Sequence, residues 1–231
     1  MWLNRVGAMD LYPRTHLRSA AWVPDDEFFR PWEGAAQLAA EWIWSRCAVE
    51  RVAPILVTNT DRRGGWGMRV LDEIVRAGGH ATPQTECRFK NAPVFAYLPH
   101  PRSLRFAMDL ARGYSLVAVE GSVFPLSGWA AGADAISLPI KSVSSHSIPD
   151  QVRRDLDTVI LYGGHNDWAG TDEKRYARSS LIAHVRAGML DPCQAASYAI
   201  SQGVSALGAK RLRELLRSEN HDLGSRGPSE I

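Results

Sequence analysis

Three apolar runs of the chain each lead into a residue able to move protons. Residues 54–58 run toward Asp61, residues 93–98 toward His100, and residues 115–119 toward Glu120. A carboxylate, an imidazole and a second carboxylate form a set suited to general acid and base work, provided that the three runs are neighbouring strands. A structural reading competes with the catalytic one: His100 caps the helix behind it, and Glu120 is held by a loop N–H.

The stretch behind the first run is rich in glycine: Asn59-Thr60-Asp61-Arg62-Arg63-Gly64-Gly65-Trp66-Gly67. Placed after a strand and before a helix, its free backbone N–H groups and the helix N-terminus could hold an anion, and two arginines add charge. The ligand-binding candidates are therefore Asn59, Thr60, Arg62, Arg63, Gly64, Gly65 and Gly67, joined by Gly121 and Ser122 behind Glu120. Neither GxxxxGK[ST] nor GxGxxG occurs, so the expected ligand is described only as small and anionic or nucleotide-like, and no cofactor is specified. The glycines could equally serve a tight turn. A second polar loop, residues 161–171, carries His165, Asn166 and Asp167 among three glycines. A connecting turn needs the same residue types, and a single His with a single Asp falls short of a protein metal site, so no metal is assigned.

The elements that must position these residues follow from periodicity. Runs apolar on both faces alternate with helical patterns at 34–48, 68–77 and 102–112. That alternation predicts an α/β fold, a Rossmann-like parallel sheet of about four or five strands over residues 34–140. Beyond a Ser-rich linker at 139–149, residues 149–218 read as a helical segment, with Asp191-Pro192 as an N-cap and first-turn pair. Residues 1–33, mixing Trp and Phe with Pro, are expected to be an irregular aromatic arm, and residues 219–231 a flexible tail.

Two local resemblances add to this. The stretch from Ala199 through Gly203, Val204 and Ser205 to Leu212 resembles the helix-turn-helix of bacterial repressors, in which Gly makes the turn, Val packs inside and Ser caps the recognition helix. The resemblance implies DNA contact through Ser205, Lys210, Arg211 and Arg213. Gln202 departs from the pattern, and Gly208 within the recognition helix costs about 1 kcal/mol relative to Ala. The alternative is a plain helical hairpin packed on the sheet. The pair 94–111 and 115–121 is similar to consecutive core units in the second RecA-like domain of helicases, whose second strand ends in a nucleotide-facing loop. No Walker A lysine or DExx pair accompanies it.

Composition narrows the partners. Lys+Arg 27 against Asp+Glu 25 leaves a net charge of +2, so any nucleic-acid contact must come from a local patch. Cys47, Cys87 and Cys193 include no CxxC pair, which suits a reducing compartment. No run approaches the ~20 apolar residues of a membrane span. The chain is expected to be a cytoplasmic binding or regulatory protein, with a hydrolase or transferase acting on a nucleotide-like or phosphorylated substrate, or an accessory protein-interaction module, as alternatives.

Overall fold

Strands buried on both faces build the centre of the molecule. A computed structural model describes residues 16–25, 31–61, 67–85, 90–138, 142–143 and 148–217. Strand β2 (Ile55–Val57), β4 (Val94–Tyr97) and β5 (Ser115–Val119) are buried at every position, as runs without a polar face require. They join β1 (Ser19–Val23), β3 (His80–Ala81), β6 (Ile136–Ser137) and β7 (Ser142–Val143) in one sheet of order β3-β2-β4-β5-β1-β6-β7. All neighbours run parallel except β7, which pairs antiparallel with β6 at the edge. The fold is α/β, a Rossmann-like parallel sheet followed by C-terminal helices.

Among the described residues five of the sheet's seven strands, β2 to β6, lie within 34–140 as expected, and the two outside that range, β1 and β7, correct the boundaries drawn from sequence. Strand β1 lies in the stretch expected to be an irregular arm, yet it sits inside the sheet between β5 and β6, with Ala21 opposite Val117 and Ile136. Its four buried residues, Ala20 to Val23, are an apolar run too brief to stand out between Arg18 and Pro24. Strand β7 falls inside the Ser-rich span read as a linker, where neither composition nor period marks a strand.

The helices divide between the two faces. Helix α1 (Trp32–Glu50) and α2 (Arg69–Gly78) cover one face, where Ala35, Ala36, Ala39 and Ala40 let α1 lie close to Phe95 and Val117. Helix α3 (Pro101–Leu110) and the short α4 (Ser127–Gly132) cover the other. Connections leaving β1 and β2 run one way along the sheet and those leaving β4 and β5 the other, which puts their helices on opposite sides under right-handed crossover. Neighbouring strands β2 and β4 therefore send their helices apart at their carboxyl ends.

The remaining helices are α5 (Asp150–Gly163), α6 (Thr171–Arg186), α7 (Pro192–Ser201) and α8 (Ala206–Arg217), with a 3-10 turn at Gly164–Asn166. They enclose a core of their own around Leu156, Trp168, Leu181, Tyr198 and Leu212. Ala196, Ile200 and Ala209 extend into the core of the sheet. Helix α7 docks through α4, where a Cβ on Gly128 would overlap the Gln194 carbonyl oxygen, so the two backbones meet with no side chain between them. Among the described residues no helix is long and apolar enough to cross a membrane.

Candidate functional site

At the carboxyl ends of β2 and β4, one side chain ties two loops together. Asn59 Nδ2 donates to the Leu98 carbonyl oxygen at 2.7 Å, and its Oδ1 accepts from the His100 N–H at 2.8 Å and from the Ser103 hydroxyl. Leu98 holds a left-handed φ of 49° in the turn that brings these groups together. Both backbone directions of the β4 loop are thus fixed by the first residue of the β2 loop that sequence nominated.

Strands β2, β4 and β5 are neighbours, so Asp61, His100 and Glu120 follow adjacent strands at one edge of the sheet. His100 and Glu120 each also make bonds within their own loop. His100 starts α3, its N–H also donating to Ser103 Oγ at 2.9 Å, while the residue itself is exposed. Glu120 is half-buried and accepts the Leu126 N–H at 3.1 Å. Behind it, Gly121 bridges to Phe124 and packs on Leu98, and Ser122 is exposed.

Asp61 faces a histidine that sequence reasoning passed over. His80, the first residue of β3, sits with Nδ1 3.6 Å from Asp61 Oδ1 and Nε2 2.8 Å from Thr58 Oγ1. Thr58 spends its own proton on the Thr60 carbonyl oxygen at 2.9 Å, so Oγ1 accepts from Nε2–H in this network. Burial lowers the His80 pKa from its ordinary 6.5, against the pull of the Asp61 charge. The order carboxylate, imidazole, hydroxyl is that of a nucleophile relay. Thr58, however, is 2% exposed with its proton engaged, which suits holding a loop rather than attacking a substrate. The pairing of β2 with β3 opposes Leu56 and His80, a register no single-sequence signal discloses.

Arg62, Arg63, Gly64 and Gly65 lie outside the described residues. Gly67 is described and holds φ 67°, the left-handed turn for which a glycine is suited just ahead of α2. Thr60 is exposed and contributes its carbonyl to Thr58.

The carboxyl-terminal candidates lie on α7, α8 and the turn between them. Gly203 turns with φ 94°, and Ser205 Oγ accepts the Gly208 N–H at 3.0 Å, capping α8. Ala199, Val204, Ala209 and Leu212 are buried. The loop 161–171 is bound into this corner: Ser205 donates to Asp167 Oδ1 at 2.7 Å, and Arg211 Nη1 to the Asp167 carbonyl oxygen at 3.3 Å. Of the nominated cations, Arg211 is therefore engaged within the fold and Arg213 is half-buried. Lys210 projects, 3.8 Å from Glu214. No group of three or more His, Cys, Asp or Glu among the described residues is placed to hold a metal ion. No protein-family model matches the chain, and no curated protein or solved structure matches it.

Proposed function

We propose that the protein binds a small anionic, nucleotide-like ligand in the crevice between the β2 and β4 loops, as a binding or regulatory protein of the cytoplasm. The observation that carries this reading is the divergence of α2 and α3 from neighbouring strands, which leaves two helix N-termini on either side of the β2–β4 seam at the carboxyl edge. Ligands of open α/β sheets bind where such connections part, and unpaired N–H groups at helix starts favour anions. Arg102, exposed, stands in the first turn of ten-residue α3 and adds positive charge, while Arg69 at the start of α2 is paired with Glu73 at 2.7 Å. The Asn59 bonds hold both walls in place before any ligand arrives, which reduces the ordering cost of binding. Catalysis by Asp61, His100 and Glu120 is the weaker reading, because Asp61 faces His80, Glu120 accepts the Leu126 N–H and His100 forms a capping box with Ser103 at the start of α3. The unpaired buried thiols of Cys47 and Cys193 suit a reducing compartment.

Calorimetric titration of the full chain with AMP, adenosine and inorganic phosphate tests the proposal. AMP should bind at least about tenfold more tightly than adenosine, a margin set by one charge-assisted contact, and Arg102→Gln should erase that margin. Equal affinities for AMP and adenosine, or no heat from AMP, would remove the anion-binding reading.

A second reading, contact of α8 with DNA, is favoured by one observation: the Ser205-capped helix follows Gly203 and leaves Lys210 outward.

A further inference from the structure

A second recess lies at the opposite edge of the sheet, ahead of the amino end of β1. Its volume is about 450 Å³, and it is walled by the end of α4, the early turns of α5 and the end of α7. That size lies within the range of small-molecule sites. The seam between the sheet and the C-terminal helices thus contains a concave polar surface that none of the carboxyl-edge residues line.

Arg153, Gln202 and Tyr198 each direct a donor back onto the wall. Arg153 Nη2 donates to the Ala131 carbonyl oxygen, its guanidinium lies 3.5 Å from the Asp134 carboxylate, and its carbon stands 6.0 Å from the centroid of the Tyr198 ring. Gln202 Nε2 donates to the Gly132 carbonyl oxygen at 3.2 Å. The Tyr198 hydroxyl donates to Asp157 Oδ1 at 2.7 Å. Burial and the Asp157 charge raise the Tyr198 pKa, so the phenol keeps its proton and remains a donor to that carboxylate.

What is left for a ligand is acceptor capacity and negative potential. Asp134 and Asp157 set two carboxylates against the guanidinium of Arg153, with the His16 imidazole also in the lining. The ends of α4 and α7 reach the recess with their carbonyl poles and add partial negative charge, which the amino pole of α5 partly offsets. We infer that the recess binds a small organic cation of the primary ammonium class, its N–H groups donating to Asp157 and Asp134. An ammonium supplies three donors and a compact charge, which matches the carboxylate oxygens that Asp134 and Asp157 present here. This site is independent of the anion site at the carboxyl edge, and of opposite electrostatic preference.

Amide chemical-shift titration of the full chain with three four-carbon probes tests the inference: putrescine, 1,4-butanediol and succinate. Putrescine should produce saturable shifts at Asp134, Asp157 and Gln202, while the diol and the dianion should not. Asp157→Asn keeps an oxygen for the Tyr198 hydroxyl while removing the charge, and should weaken putrescine by about tenfold. Asp134→Asn alters a side chain that is 86% exposed and should weaken it in the same direction without unfolding the protein. Asp172→Asn, on exposed α6, should leave the affinity unchanged. Saturable binding of the diol or succinate at these amides, absence of putrescine shifts in a well-dispersed spectrum, or equal weakening by Asp157→Asn and Asp172→Asn would each overturn the inference.

Discussion

His80 is held between a hydroxyl and a carboxylate, and its burial makes the fold sensitive to mild acid. The ring's pKa is lowered from 6.5 in the folded chain, so as pH falls the unfolded chain takes up this proton first. Stability therefore stays at its full value above about 6.5 and declines as pH drops from there toward the folded pKa. His80→Gln, compared with the parent by thermal unfolding between about pH 5 and 8, should lose that part of the decline. Parallel curves for the two proteins would show that His80 titrates alike in both states. Gly208 gives a second residue-scale expectation. Helix propensity alone favours Ala there by about 1 kcal/mol, yet a Cβ would overlap Asp167 Oδ1, which Ser205 already holds, and Val204 Cγ1. Gly208→Ala should destabilise by about 1–3 kcal/mol in urea unfolding, as overpacking does; a gain in stability would show that the corner relaxes freely. From sequence this glycine reads as a flaw in a recognition helix. Its reason lies in a loop 41 residues upstream, a contact that no local pattern carries.

At the scale of elements, what was legible depended on how much signal each element carries within itself. Strands β4 and β5 are buried along their whole length, so their apolar runs announce them. The start of α7 is equally plain, since Asp191 Oδ1 accepts from Cys193 N at 2.7 Å and Gln194 N at 3.2 Å ahead of Pro192. Strand β1 owes its existence to partners distant in sequence, β5 and β6. Helix α8 was legible as an element, but its polarity was less so, because the Arg211 bond to Asp167 is tertiary. DNA contact by α8 therefore turns on Lys210. If that contact occurs, a DNA fragment should be retarded at ~50 mM salt and released at ~200 mM, and Lys210→Glu should abolish retardation while changing stability by under about 0.5 kcal/mol. Retardation that survives Lys210→Glu, or none for the parent protein, would return α8 to a packing role.

For the whole molecule, opposite edges of the sheet are proposed to take ligands of opposite charge. At the carboxyl edge Arg102 and two helix N-termini stand with Asp61 and Glu120, and at the amino edge the ends of α4 and α7 stand with Asp134, Asp157 and Arg153. The carboxyl edge could be anticipated from strand order, because three adjacent strands place their trailing residues together. The amino-edge recess could not, since α4, α5 and α7 meet there only once α7 has docked through Gly128. The central claim is that an anionic, nucleotide-like ligand enters between the β2 and β4 loops. Its most direct measurement is an amide chemical-shift map of the full chain during titration with AMP. Saturable shifts clustered at Asn59–Asp61, Gly67–Val70 and His100–Ser103, with Gln202 and Asp157 unmoved, are the expected result. Shifts confined to the amino edge, or a spectrum unchanged at saturating AMP, would contradict it.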